Sequence, residues 1–143
     1  MLDDVIALLR SDLPDFKGRV EGALQLANLL RQNALPQVTP AAFVVPVGVD
    51  GGRVDAITGL YVQTYTEALA VVVVLRGAEP TGGRLRDQLN ALSWSVIELL
   101  AGREVGENRC QLVLRRAFLA SMTDGAIVYQ IEFSLQDQMR LSR

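Results

Sequence analysis

The sequence predicts an α+β fold in which helices pack on one face of a mostly antiparallel β-sheet. Apolar residues recur at steps of three and four in three segments, as in amphipathic helices. They alternate or run continuously in four other segments, as in strands. The predicted order is helix, helix, strand, strand, helix, strand, strand. Because the 143 residues hold no internal repeat, linker or low-complexity segment, we expect a single domain over residues 1–143.

Three helices are predicted, and prolines and apolar spacing set their limits. The first spans Leu2–Leu13, and Pro14 prevents it from continuing far. A short extended piece, Phe16–Gly22, separates it from a second helix over Ala23–Leu30, which is rich in Ala and Leu. The third helix, Arg84–Leu100, has the most regular apolar stripe. That stripe consists of Leu85, Leu89, Leu92, Val96, Leu99 and Leu100.

Four strands are predicted from apolar runs rich in β-branched and aromatic residues. They span Ala41–Val47, Leu60–Arg76, Arg109–Ser121 and Ala126–Gln138. The second strand is apolar on both faces over Ala68–Leu75, which predicts that this part is covered on both sides. A turn over Met122–Gly125 joins the last two strands, so they form a hairpin.

Two glycine-containing connections are predicted to be loops. Gly48–Thr58 mixes glycines with charged residues. Neither the spacing of a helix nor that of a strand would place its apolar residues on one buried face. We expect it to be a mobile loop that becomes ordered against a partner molecule. The second predicted loop is Gly102–Asn108.

The composition excludes several classes of function. Fourteen basic and 16 acidic residues give a net charge of -2, so no strong global field attracts nucleic acid or an anionic membrane. The absence of histidine excludes Ser-His-Asp and Cys-His catalysis and histidine-bearing zinc sites. The single cysteine, Cys110, is predicted to be a small buried apolar residue. With neither a signal peptide nor a membrane span in evidence, we expect a soluble protein of a reducing cytoplasm.

One glycine-rich segment has the position of a phosphate-binding loop but not its residues. Residues Gly77–Arg84 follow a predicted strand and lead into a predicted helix. Gly83 and Arg84 stand where a P-loop has its lysine and its Ser or Thr, and Glu79 would repel phosphate. We therefore expect a plain strand-to-helix connection and no bound cofactor.

Six residues are candidates for contacts between subunits or with a partner protein: Trp94, Glu67, Arg53, Asp50, Arg115 and Arg116. Trp94 lies opposite the apolar stripe of its helix, where it either contacts a partner or is covered by another segment of the same chain. Glu67 interrupts an apolar strand. It faces solvent, points into a polar pocket, or meets an arginine such as Arg115 or Arg116, across the sheet or across a subunit boundary. Asp50 and Arg53 belong to the predicted loop.

One face of the second strand also points to a partner. If all three helices cover one face of the sheet, the opposite face exposes apolar side chains that need cover, and a second chain can supply it. On the second strand that face carries Thr64, Thr66, Ala68, Ala70, Val72 and Val74.

Four segments, in this order and spacing, resemble the tail terminator proteins of long-tailed bacteriophages. They are Arg19–Ala27, Pro40–Gly48, Val62–Arg76, and Asp124-Gly125 followed by Tyr129–Phe133. The resemblance implies a structural virion protein and not an enzyme. It further implies a ring, typically a homohexamer, that caps the head-proximal end of the tail tube, stops its polymerisation and provides the surface for head-tail joining.

The same resemblance implies a set of partners. These are other copies of the chain, the major tail tube protein and the head-tail connector protein, with duplex DNA passing through without specific binding. The protein would be assembled in the host cytoplasm and reside in the virion tail. Two alternatives remain: a head-tail connector or tail completion protein of the neck, and a small cytoplasmic ligand-binding α+β domain. For the last alternative, Glu67 and Glu132 are the only indications.

Overall fold

A computed structural model of the chain describes residues 1–77, 83–123 and 125–143. Its helices are α1 (Leu2–Asp12), α2 (Ala23–Arg31) and α3 (Gly83–Leu100), with a 3-10 turn at Pro14–Phe16. Its strands are β1 (Val20–Gly22), β2 (Ala41–Val54), β3 (Leu60–Arg76), β4 (Glu104–Val105), β5 (Cys110–Gln111), β6 (Val113–Thr123) and β7 (Ala126–Ser142).

Five of the strands form one sheet in the order β1-β2-β3-β7-β6. Only β1 pairs in parallel, with β2, and the other three pairings are antiparallel. The two short strands β4 and β5 form a separate hairpin. The predicted α+β class with a mostly antiparallel sheet is confirmed. The predicted connection at residues 78–82 and residue Asp124 of the predicted turn lie outside the described residues.

The main core lies between the sheet and the helices α1 and α3. Leu9 of α1 and Val96 of α3 are fully buried on this side, as are Leu69 and Phe133 of the two central strands. We call this side of the sheet the helix face. Two aspartates in the first turn of α1 favour its start through the helix dipole, and the apolar stripe predicted for α3 is the side that it buries.

Helix α2 lies on the opposite face of the sheet. Its residues Leu26 and Leu29 pack against a second cluster made of Phe43, Val72 and Val74. The side chain of Val72 points away from that of Val71 because successive residues of a strand face opposite sides. The prediction that helices pack on one face therefore holds for α1 and α3 and is wrong for α2, which supplies part of the cover expected from a second chain.

The predicted loop over Gly48–Thr58 is wrong for most of its length. Residues up to Val54 continue β2, and residues 48–51 pair with residues 65–68 of β3. At Gly52 the glycine reflects close packing of the two strands, whereas a Cβ atom on Gly48 would meet nothing within 4 Å. A Cβ atom on Gly52 would lie 2.7 Å from Oγ1 of Thr64 and 3.0 Å from its carbonyl oxygen, so only glycine fits there.

Two strand boundaries and the burial of one residue also differ from the predictions. Strand β7 continues past Gln138 to Ser142, still paired with β3. The predicted loop Gly102–Asn108 contains β4, whose partner β5 begins at Cys110, so the strand predicted from Arg109 is divided in two. Cys110 is half-buried instead of buried.

The sheet has a covered half and an arm. In the covered half, Ala68–Leu75 of β3 are buried on both faces, between α2 on one side and α1 with α3 on the other. Strands β2 and β3 form a long hairpin whose far end, Val47–Glu67, extends beyond the covered half. We call this end, together with Gln136–Ser142 of β7, the arm. Residues 46–59 are all exposed. The ladder of hydrogen-bonded strands thus extends beyond the helices that cover it.

Candidate interaction site

The two lateral edges of the covered half differ in how they are protected. At one edge, β1 has only three residues, and Nε of Arg10 donates a hydrogen bond of 3.0 Å to the carbonyl oxygen of Val20. The opposite edge is β6, which has 11 residues and, in the part of the chain that the structure describes, no strand on its outer side. A long open edge strand is a surface that readily pairs with another chain.

Large apolar side chains are exposed on both open parts of the sheet. Those of β6 are Val113, Leu114, Leu119 and Met122, which are between 37% and 66% exposed. Those of the arm are Val47, Val49, Val54 and Ile57, between 46% and 69% exposed. Apolar side chains concentrated on uncovered strands are typical of surfaces that are buried in an assembly.

A buried carboxylate lies beside the open edge. Glu132 of β7 is 4% exposed, and its Oε2 accepts a hydrogen bond of 3.1 Å from Nε of Arg116 on β6. Its Oε1 accepts one of 2.9 Å from Nε2 of Gln130. The hydrogen bond from Arg116 is the main reason that the pKa of Glu132 lies below its ordinary value, and the charge of Arg115 adds to it.

The guanidinium of Arg116 is fixed by a second contact. It stacks over the ring of Phe118, 4.5 Å from the ring centroid. Arg116 thus belongs to an intramolecular cluster at the sheet surface, and its charge is already matched by Glu132.

Glu67 does not meet either of the arginines considered for it. It lies opposite Val49 and Leu135 on the helix face. There it lines a cavity of about 200 Å³ with Tyr65, Cys110 and Asp137. Among the described residues no side chain forms an ion pair with Glu67. The interpretation of Glu67 as the partner of Arg115 or Arg116 across the sheet is therefore wrong within one chain, because Arg116 pairs with Glu132.

The best-connected group in that cavity is Asp137. Its Oδ2 accepts a hydrogen bond of 2.7 Å from Nδ2 of Asn108 and one of 3.4 Å from the hydroxyl of Tyr65. The hydrogen bond from Asn108 lowers the pKa of Asp137, whereas burial and the charge of Asp137 raise the pKa of Tyr65. This network ties the β4–β5 hairpin to the base of the arm. Across the described residues, no three potential ligands are grouped to hold a metal ion.

The remaining candidates are all at the surface. Trp94 is 53% exposed on α3, which confirms that it lies on the polar side of its helix. Nε of Arg53 lies 3.1 Å from a carboxylate oxygen of Asp55, within the arm. Asp50 on the arm and Arg115 on β6 are exposed, and neither has a hydrogen bond or ion pair with any described residue.

The six candidates therefore do not form a single site. The structure places Asp50 and Arg53 on the arm, Glu67 at its base, Arg115 and Arg116 at the open edge, and Trp94 on the outside of α3. Sequence reasoning missed the open edge itself. Two adjacent arginines inside an apolar strand indicated that the strand has an exposed side. The sequence could not show that this strand is at the edge of the sheet, because strand order depends on pairing between distant residues.

A groove of about 480 Å³ lies between α2 and the β1–β2 edge. Its apolar lining includes Leu29, Val38 and Phe43. Its two charged residues are engaged within the chain, since Nε of Arg19 donates to the carbonyl oxygen of Pro40 and Glu21 pairs with Arg10. The other polar residues of its lining, Gln25 and Asn28, are exposed on α2. Among the described residues, no unmatched charged group therefore lines the groove to bind a ligand.

Both the sequence and the fold are similar to those of known proteins. Residues 2–143 match the family model described as "Phage tail terminator protein". A chain in a solved structure titled "Virion of native gene transfer agent (GTA) particle" has a similar fold, with a TM-score of 0.59 and 16% sequence identity. The match covers 94% of this chain and 92% of that chain. No curated protein matches the sequence.

No helix within the described residues is long and apolar enough to cross a membrane. The resemblance suggested by the four sequence segments is confirmed by the family match, which extends over nearly the whole chain. The chain belongs to the phage tail terminator family, a family of structural proteins of the virion tail.

Proposed function

We propose that this chain forms a homo-oligomeric ring, with six subunits as the expected number, that caps the head-proximal end of the phage tail tube. The ring stops polymerisation of the tube and offers its free side to the head-tail connector. The observation that carries the proposal is the family match over residues 2–143. The open edge β6 and the uncovered arm support it, because both are surfaces that another protein can cover.

The ring would act through its surfaces alone. A tube grows by adding subunits to an end that presents a complementary surface, and a ring that binds this end without recreating it stops growth. Apolar side chains of the arm and Trp94 are large exposed groups available for such contacts. The net charge of -2 supports passage of duplex DNA without specific binding, since gripping DNA requires clustered positive charge.

The proposal is tested by polymerising the cognate tail tube protein with and without this chain. Tube lengths are measured by electron microscopy, with tube protein alone as the reference. We expect shorter tubes that carry a cap of extra density at one end. Unchanged lengths and bare ends would contradict the proposal. Incorporation along the whole tube would make the chain a tube subunit, and binding to the connector alone would favour a neck completion protein.

A further inference from the structure

Within residues 1–77, 83–123 and 125–143, the sheet leaves two edges open, one on each side. The first is the outer side of β6, Val113–Thr123. The second is the part of β2 beyond Val44, where its pairing with β1 ends, up to Val54. The two open stretches are almost equal in length. Exposed apolar side chains lie on both.

The directions of these strands suit contact between identical copies. Three successive antiparallel pairings separate β2 from β6 in the sheet, so the two strands run in opposite directions. A copy placed beside the first in the same orientation therefore presents its β6 antiparallel to the β2 edge. Repeating that step gives a head-to-tail interface, which closes into a ring where the rotation between neighbouring copies completes a circle.

Charge complementarity singles out one contact between the two edges. Strand β6 carries Arg115 and Arg116 and no acidic residue. Arg116 forms an ion pair with Glu132, whose pKa the charge of Arg115 also lowers. Arg115 itself has no hydrogen bond or ion pair with any described residue. On the open stretch of β2, Arg53 is matched by Asp55, which leaves Asp50 unmatched.

The two unmatched charges lie in compatible positions. Asp50 is opposite Thr66 and Glu132 is opposite Ala70, and these two β3 residues share a face, so Asp50 and the Glu132 cluster lie on the same side of the sheet.

Antiparallel pairing over the full open length, with Val113 opposite Val54, brings Arg115 opposite Gly52. Asp50 is two positions from Gly52 on the same face, so it is a diagonal neighbour within reach of an arginine side chain. This pairing shifts the neighbouring copy along the strands, because Val113 is level with residue 68 of β3 and Val54 is level with residue 63.

We propose that the arm of one subunit contacts β6 of the next, with Asp50 meeting Arg115 across the boundary. The inference rests on the proposed ring and names the surfaces that close it. Pro46 and the register shifts in both strands interrupt a regular ladder. The contact therefore depends on side chains and does not require a continuous intersubunit sheet.

The test is a charge swap measured by analytical ultracentrifugation and native mass spectrometry. The proteins are the unaltered chain, Asp50→Arg, Arg115→Asp and the double variant. Asp87→Arg, the same charge change on the exposed surface of α3, is the matched control. Circular dichroism on each variant verifies folding. We expect each single variant to weaken subunit association roughly tenfold or more, because like charges then face each other.

The double variant and the control decide the interpretation. The double variant is expected to regain association within about threefold of the unaltered chain, since opposite charges meet again. Rings unaffected by Asp50→Arg or Arg115→Asp, or a double variant that is not rescued, would overturn this contact and leave the proposed function standing. An unaltered chain that forms no ring, alone or on tubes, would contradict the proposed function itself.

Discussion

The two halves of β3 are paired in the same way but have opposite surroundings. Both halves are hydrogen-bonded to β2 on one side and β7 on the other. Ala68–Leu75 are buried between helices, whereas the side chains of Leu60–Glu67 are mostly half-buried, with only Val62 buried. Strand pairing is therefore the same in the core of the subunit and in its exposed part. The two parts differ in whether helices pack on the sheet. On the arm no helix does so among the described residues, and we expect another protein chain to cover it.

The same substitution in each half gives the largest expected contrast. Val71 is fully buried in the covered half and Val49 is 60% exposed on the arm. We expect Val71→Ala to lower the free energy of unfolding by about 2–3 kcal/mol, since it removes two buried methyl groups and leaves a cavity. Val49→Ala should change it by less than about 0.5 kcal/mol. Urea denaturation of both variants measures the difference, and equal losses would contradict the division into two halves.

Trp94 tests whether an exposed side chain of α3 serves assembly. We expect Trp94→Ala to leave the folded monomer intact and to weaken ring formation or docking by about 2 kcal/mol, because a tryptophan at an interface commonly contributes that much. Thermal melting and sedimentation of the same samples separate the two effects. A lower melting temperature with unchanged assembly would instead assign Trp94 to the packing of its own subunit.

The sequence predicted the parts of the fold that depend on the spacing of apolar residues along a single helix or strand. The stripe from Leu85 to Leu100 predicted α3 and its buried side, and it also placed Trp94 at the surface. Helix α2 was assigned to the wrong sheet face, because the face that a helix covers depends on long-range packing and not on the spacing of its own apolar residues. The glycines near Gly52 were interpreted as flexibility because the approach of Thr64, 12 positions along the chain, is not visible in a local pattern.

The candidate site was less predictable for the same reason. Trp94, Asp50 and Arg115 were found at the surface as exposed charges or a large exposed ring. The pairing of Arg116 with Glu132 spans 16 positions and depends on the register of β6 against β7. Whether another strand lies on the outer side of β6 depends on the positions of all the other strands in the sheet. Features set by long-range pairing are thus the ones that the sequence left undetermined.

The Arg116–Glu132 pair gives a smaller, pH-dependent effect. Because the pKa of Glu132 in the folded chain lies below its ordinary value of 4.5, the pair stabilises the fold fully above that pH and loses its contribution as the pH falls through the folded-state pKa. We expect Arg116→Ala to cost about 1–2 kcal/mol at pH 7, since it leaves a buried carboxylate with fewer partners.

The measurement is the stability of the unaltered chain and Arg116→Ala from pH 7 down to pH 3. The gap between them should shrink towards the acidic end, as the pH approaches the lowered folded-state pKa of Glu132. Glu132→Gln, which keeps the shape but not the charge, is the control and should show a weaker dependence of stability on pH in this range. A gap that stays constant with pH would show that Arg116 acts through packing on Phe118 and not through charge.

A small stabilising effect is predicted for Ser93 of α3. Its hydroxyl is buried and has no hydrogen-bond partner among the described residues. Ser93→Ala should therefore raise the free energy of unfolding by about 0.5–1 kcal/mol, through removal of an unmatched polar atom and a gain in helix propensity. Ser95→Ala is the matched control on the same helix, because Oγ of Ser95 donates to the carbonyl oxygen of Ala91. A loss of stability in Ser93→Ala would contradict the burial argument.

Hydrogen exchange before and after assembly compares the two halves most directly. Backbone amides of Val71–Leu75 lie in the covered half and should exchange slowly in both the free subunit and the ring. Amides of Gly48–Val54 lie on the arm, where the ladder with β3 has no helical cover, and should exchange faster than those of Val71–Leu75 in the free subunit and become strongly protected in the ring. Equal protection of Gly48–Val54 in both states would contradict the claim that the arm is the surface buried on assembly.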